Sequence, residues 1–293
     1  MNDTLKYAYY PGCSLHASAG EYDLSTRELF SALGISLTEV PDWFCCGATP
    51  AHNVDELLSL SLCAKNLELA EQVEGDLAVA CASCFSRLKF TQHTLEENAT
   101  KRKQVEKAID APVKLDGKVK HLLEILAKDL GLERLAASVS KPLAGLKVAC
   151  YYGCLLTRPT DVPNLDCPEA PTIMERVVEA SGAETVAWTH RLECCGANFT
   201  LSRPGVVLQL TNAILDSAKA AGADCIMVGC PLCHGNLDIR QKEIENVYSA
   251  EYNLPVFYLT QLVGLSVGLA PDQLGLNAMI VNPTPLLKEK GLL

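Results

Sequence analysis

Short β-rich apolar runs alternate along this chain with longer amphipathic stretches, and the same succession occurs twice. In the first half, a run at 5–10 precedes an amphipathic helix around 26–33, closed by Gly34, and a second strand at 35–40. A long helix at 55–73 and a strand at 77–80 follow. The second half repeats the series: strand 146–152, helix 172–180 closed by Gly182, strand 184–189, helix 206–221 and strand 225–228. A glycine at each helix end suits the left-handed turn that stops a helix. Val119-Lys120-His121-Leu122-Leu123 matches Val256-Phe257-Tyr258-Leu259-Thr260 as one more element of the series. Strands alternating with helices predict an α/β fold, two small parallel sheets flanked by helices and related by a pseudo-two-fold. The boundary is drawn at Lys141-Pro142, giving an N-terminal unit of 1–141 and a C-terminal unit of 142–293.

Ten of the fourteen cysteines fall on this repeat. One set is Cys13, Cys45, Cys46, Cys81 and Cys84; the other is Cys154, Cys194, Cys195, Cys230 and Cys233. In both, 34 residues separate the adjacent pair from the Cys-x-x-Cys, and both pairs continue into Gly-Ala. Right-handed crossovers would carry all ten to the carboxyl edges of the sheets, where such folds hold ligands. A Cys-x-x-Cys opening a helix can bring two sulfurs to one metal, and the helix N-terminus favours thiolate. Adjacent cysteines on extended chain point apart, so they suit neighbouring irons of a cluster better than one ion. Five thiols exceed the four of a tetrahedral zinc site or a cubane cluster. Iron–sulfur clusters in both halves are the leading reading. Structural zinc, at one site or both, is the alternative and leaves a sulfur idle.

Composition narrows the function classes. A net charge of −10 with no basic run argues against nucleic acid. The opening Met1-Asn2-Asp3-Thr4-Leu5-Lys6 lacks the features of a signal peptide, so a reducing cytoplasmic setting is expected, with thiols as ligands rather than disulfides. The 19 charge-free residues 253–271 contain Pro255, Thr260, Gln261 and two glycines and read as a buried core helix, not a membrane insertion. There is no G-x-G-x-x-G, no P-loop and no ferredoxin-type cysteine run, so electrons must come from a partner.

Two copies of Cys…Cys-Cys-Gly…Cys-x-x-Cys resemble the CCG-domain proteins. With Tyr9-Tyr10-Pro11-Gly12-Cys13 and Tyr151-Tyr152-Gly153-Cys154-Leu155-Leu156-Thr157-Arg158-Pro159, the chain resembles the family of heterodisulfide reductase B subunits over nearly its whole length. That resemblance implies two duplicated CCG domains and two noncubane [4Fe–4S] clusters, each held by one five-cysteine set. It also implies a disulfide such as CoM-S-S-CoB cleaved between them. The partners it implies are a small ferredoxin-like iron–sulfur subunit and, through it, a flavin-containing subunit. An electron-transfer subunit of another oxidoreductase complex is the second reading, and a zinc scaffold the third.

Beyond the ten cysteines, His16, His52 and His234 lie beside ligand positions and could protonate a leaving thiolate, while Arg158 could hold an anionic substrate group. Cys63, Cys150 and Cys225 read as core. Cys167, in a polar loop, has no assigned role.

Overall fold

The computed structural model describes residues 4–48, 50–162 and 164–293. Two four-stranded sheets carry the expected elements. The first contains β1 (Lys6–Tyr10), β2 (Ser36–Glu39), β3 (Asp76–Val79) and β4 (Val119–His121), in the order β2-β1-β3-β4. The second contains β5 (Lys147–Tyr151), β6 (Glu184–Thr185), β7 (Cys225–Val228) and β8 (Val256–Tyr258), in the order β6-β5-β7-β8. Every pairing is parallel. The central strands are covered on both faces, as unbroken burial from Cys225 to Val228 shows. In each sheet the chain reverses its direction of winding at the first strand, leaving a crevice at the carboxyl ends of the two central strands.

The helices bury the stripes their sequences predict. Ile173–Ala180 turns Ile173, Met174, Val177 and Val178 inward and ends before Gly182, at φ +81°. Two elements differ from expectation. The helix expected at 26–33 runs Gly20–Ala32, because Glu21 and Asp23 complement the dipole of its first turn and buried Tyr22 anchors it. The strand expected at 184–189 pairs for two residues only. Beyond Val186, the Trp188 indole donates to the Cys150 carbonyl (3.2 Å), and the Arg191 carbonyl accepts the amides of Tyr152 and Gly153. These contacts replace the ladder.

The charge-free 253–271 stretch forms β8 and the helix Leu259–Ser266, all eight of whose residues are buried. That helix packs against Gly20–Ala32 of the other half, with Ser25 Oγ 2.7 Å from Thr260 Oγ1. Among the described residues no helix is long and apolar enough to cross a membrane.

The two sheets meet carboxyl edge to carboxyl edge. The Ala82 amide donates to the Gly229 carbonyl (3.3 Å). His121 Nε2 lies 3.0 Å from the Ala80 carbonyl and 2.9 Å from that of Gly229, while its Nδ1 accepts the Leu123 amide. The proton is therefore on Nε2, shared between one carbonyl from each half. Tyr22 donates its hydroxyl to the Ala80 carbonyl and stacks on Tyr258 at 4.0 Å, and Tyr258 stacks on His234 at 4.1 Å. Stacking of this kind contributes about 1 kcal/mol per pair beyond the area it buries.

Candidate metal centre

Each cysteine set is assembled by three strand ends. β1 and β5 run into Gly12-Cys13 and Gly153-Cys154, β3 and β7 into the two Cys-x-x-Cys turns, and β2 and β6 into the adjacent pairs. The last tyrosine of the first strand locks the pair. Tyr10 donates its hydroxyl to the Phe44 carbonyl (2.8 Å), and Tyr151 donates to that of Glu193 (2.6 Å), each one residue before a Cys-Cys. Asn66 brackets Phe44 from the helix Glu56–Ala70, accepting its amide and donating to its carbonyl. Behind the pairs, the Cys63 thiol donates to the Cys46 carbonyl and the Asn236 amide to that of Cys195. Cys63 is thus core, as its sequence position suggested, and also a support for the pair.

The sulfurs meet in the same way in both halves. Cys13 and Cys45 lie 3.7 Å apart and Cys46 and Cys84 3.2 Å; Cys154 and Cys194 lie 3.8 Å apart and Cys195 and Cys233 3.5 Å. The two members of each adjacent pair differ in exposure. Cys45 and Cys194 are exposed, while Cys46 and Cys195 are buried. The amides of Gly47 and Gly196 reach back to the exposed sulfurs at 3.4 and 3.3 Å. Gly12 and Gly153 pass so close to the Cys-x-x-Cys turn that a Cβ would stand 3.2 Å from the Cys84 sulfur and 3.3 Å from that of Cys233. Between the halves, Ser83 Oγ stands 3.9 Å from the Cys230 sulfur and the Ala82 amide donates to the Gly229 carbonyl, so the two Cys-x-x-Cys turns adjoin across the seam.

The electrostatics follow from this crowding. Hydrogen bonding to Cys154, reinforced by the Gly196 amide, pulls the Cys194 thiol down, and the Cys154 thiol rises in return. An all-sulfur donor set supported by backbone amides is the chemistry that iron–sulfur clusters and other soft metals take. Among the described residues, no three His, Cys, Asp or Glu side chains close round a point as a lone ion needs. The sulfurs meet in close pairs instead.

A cleft of about 180 Å³ opens onto the second set. Cys154, Cys194 and Cys230 line it together with Ala82, Ser83 and Arg87 of the first half's helix Ala82–Glu97. The other sequence candidates are scattered. His16 is exposed, 3.3 Å from Glu39 and edge-on to Trp43. His234 is buried against Tyr258 and pulled down to about 4 by burial, so it is neutral at ordinary pH. Arg158 is exposed and does not line the cleft; its carbonyl accepts the Ser86 hydroxyl. His52 has a buried Nδ1 without a partner among the described residues, and burial followed by the charge of Arg87 pulls its pKa down. Cys150 and Cys225 are buried and Cys167 is exposed. The loop around Cys167 serves Asp166, which accepts the amides of Thr172 and Ile173 at the start of a helix.

Sequence reasoning overlooked Arg87, Tyr10, Tyr151 and Asn66. Both tyrosines end an aligned strand of the repeat, which was a usable signal. Arg87 and Asn236 each lie three residues beyond the second cysteine of a Cys-x-x-Cys, a polar position in both halves.

Comparison with known proteins agrees with this construction. The cysteine-rich (CCG) domain model matches residues 7–89 and again 148–238. The chain is 34% identical to the 8-methylmenaquinol:fumarate reductase membrane anchor subunit of Wolinella succinogenes, over 96% of this chain and 99% of that protein. It is 31% identical to the B subunit of the ferredoxin:CoB-CoM heterodisulfide reductase of Methanosarcina mazei, over 92% of each. A crystal structure of a hypothetical protein from Helicobacter pylori shares the fold, with a TM-score of 0.76 at 14% identity. That likeness covers 96% of this chain and 53% of the solved one. The chain belongs to the CCG cysteine-rich family, as an iron–sulfur protein of the kind that forms the B subunits of heterodisulfide reductases.

Proposed function

We propose that this chain is the catalytic iron–sulfur subunit of a heterodisulfide-reductase-type complex. Its ten repeated cysteines would hold two noncubane [4Fe–4S] clusters, five to each, and a disulfide would be cleaved between them. The reaction is RSSR′ + 2e⁻ + 2H⁺ → RSH + R′SH. The electrons come from a ferredoxin-like iron–sulfur subunit fed by a flavin subunit. When bound, the clusters supply the two electrons, one each. The residues of the chain do the rest. The two cysteine sets adjoin across the seam, as a disulfide shared between them would require. Leu155 and Leu232 give the cleft an apolar wall. Exposed His16, on the turn that begins at Cys13, is the candidate proton donor. The observation that carries this reading is the seam where the two Cys-x-x-Cys turns meet, with Ser83 Oγ 3.9 Å from the Cys230 sulfur and His121 shared between the Ala80 and Gly229 carbonyls.

A second reading has a specific observation in its favour: the 34% identical relative is named as a fumarate reductase subunit. In that reading the same clusters pass electrons to a partner, and no disulfide is reduced.

One anaerobic preparation separates the two. We expect about eight irons per chain and disulfide reduction with a reduced dye as donor. Cys46→Ala and Cys195→Ala should each keep most of the iron, because four thiolates can still hold a cluster, and lose most of the turnover. Stoichiometric zinc without iron would end both readings. Iron with no turnover on any disulfide would leave electron transfer as the function.

A further inference from the structure

We propose that Arg87 binds an anionic group on the substrate, so that the disulfide this site prefers carries at least one acidic arm. The inference rests on the disulfide-reductase reading and adds to it the substrate's charge and orientation. Among the described residues Arg87 is the one Lys, Arg, Asp or Glu lining the cleft, and the cysteines of the second set share that cleft with it. Its Nε is fully buried and has no hydrogen-bond partner among the described residues. No ion pair holds it among the described residues, in a chain whose acids outnumber its Lys and Arg 35 to 25. Arg27, Arg102, Arg191 and Arg240, by contrast, each pair with a carboxylate within 3.1 Å. A guanidinium fork left unpaired at the wall of a cleft is a ready partner for carboxylate, sulfonate or phosphate. His52 also has a buried nitrogen without a partner among the described residues.

The repeat shows that this feature is one-sided. Asn236 stands at the position of Arg87 in the second half and is already committed, donating to the Cys195 carbonyl (3.0 Å) and meeting Thr200 Oγ1 at 3.3 Å. One member of the pair supports the backbone; the other has no ion-pair partner among the described residues. An unsymmetrical disulfide would therefore enter in one orientation, with its acidic arm towards the Ala82–Glu97 helix.

The test uses the iron-loaded chain under anaerobic conditions with three disulfides of similar size. These are 3,3′-dithiodipropionate (dianionic), bis(2-hydroxyethyl) disulfide (neutral) and cystamine (dicationic). The wild type should show a KM about tenfold lower for the dianion than for the neutral compound, the size expected of a desolvated charge-assisted pair. Arg87→Gln should bring that ratio close to one, and Arg87→Lys should recover part of it, at unchanged iron content. Calorimetric titration of dithiodipropionate should show Kd weakened about tenfold by Arg87→Gln. Equal KM for the dianionic and neutral disulfides in the wild type would overturn the inference while leaving disulfide reduction intact. If the wild type reduces none of the three, the parent reading falls and calorimetry decides alone. The same Kd in wild type and Arg87→Gln would then overturn the anion site. Should both variants lose iron, the ranking of the three disulfides by the wild type decides the matter.

Discussion

Gly12 holds φ +77° and ψ 164°, a region closed to residues with a Cβ, and Gly153 holds φ +63° at the matching place. Both positions combine backbone strain with a close approach to sulfur. Gly12→Ala should cost about 1–3 kcal/mol in backbone strain. It should also push the Cys84 sulfur off its place, because the new Cβ would stand 3.2 Å from it. The expected outcome is a lower melting temperature together with loss of iron, and Gly153→Ala should do the same through Cys233. Full iron content in both variants would show that the sulfurs have room to give way. Tyr10 and Tyr151 act one step further out, each through a single hydroxyl. These fine contacts were only partly legible in the sequence. The glycines stood inside the repeated motif and could be read as part of it. The roles of Tyr10, Asn66 and Arg87 depend on which backbone group happens to lie opposite, which no spacing rule encodes.

Most of the strands and helices could be read from periodicity, since β-rich runs ended in cysteine motifs and a glycine closed each short helix. The departures have local causes. β6 stops early because Trp188 and Arg191 take over its hydrogen bonds, and a side chain that replaces a ladder leaves no trace in an apolar pattern. The 253–271 stretch was legible as core, but its neighbour was not: the helix Leu259–Ser266 rests on the first helix of the other half. Ser25 and Thr260 share a buried hydrogen bond at that crossing. Thr260→Val keeps the volume and removes the partner. It should lower stability by about 1–3 kcal/mol, the cost of stranding a buried hydroxyl, as read from denaturant midpoints at constant slope. A change within error would mean that Ser25 is satisfied by its second bond, to the Tyr22 carbonyl.

The whole molecule is held at its centre by a proton that cannot be doubled. His121 gives its single N–H to both halves, and burial pulls it down from 6.5 to about 4. The folded chain therefore resists a proton that the unfolded chain accepts readily. The neutral ring's contribution is complete above pH 6.5 and is lost as pH falls towards 4. The loss is roughly 3 kcal/mol across that window. His121→Gln can still donate one N–H and does not titrate. The stability gap between wild type and His121→Gln should therefore narrow or invert between pH 6.5 and 4. Parallel curves would mean that the seam tolerates a charged imidazole. The same geometry implies that the halves are not separable modules, since the carbonyls His121 binds belong to residues next to Cys81 and Cys230.

The close sulfur pairs also make the newly folded chain vulnerable to oxygen. Thiols resting 3.2 to 3.8 Å apart need little movement to close a disulfide bond of about 2 Å. Each closure would give up two electrons and two protons to dioxygen. Two of these four pairs include an exposed member of a Cys-Cys pair, so oxidation can begin from solvent at Cys45 and Cys194. A chain aired before iron arrives should lose free thiols in pairs and then fail to take up metal until dithiothreitol is added, as thiol titration and iron uptake would show. Normal uptake after airing would mean that the crowding is harmless. If the chain behaves as expected, the order of events at its birth, iron before air, is set by the spacing that suits it to its chemistry.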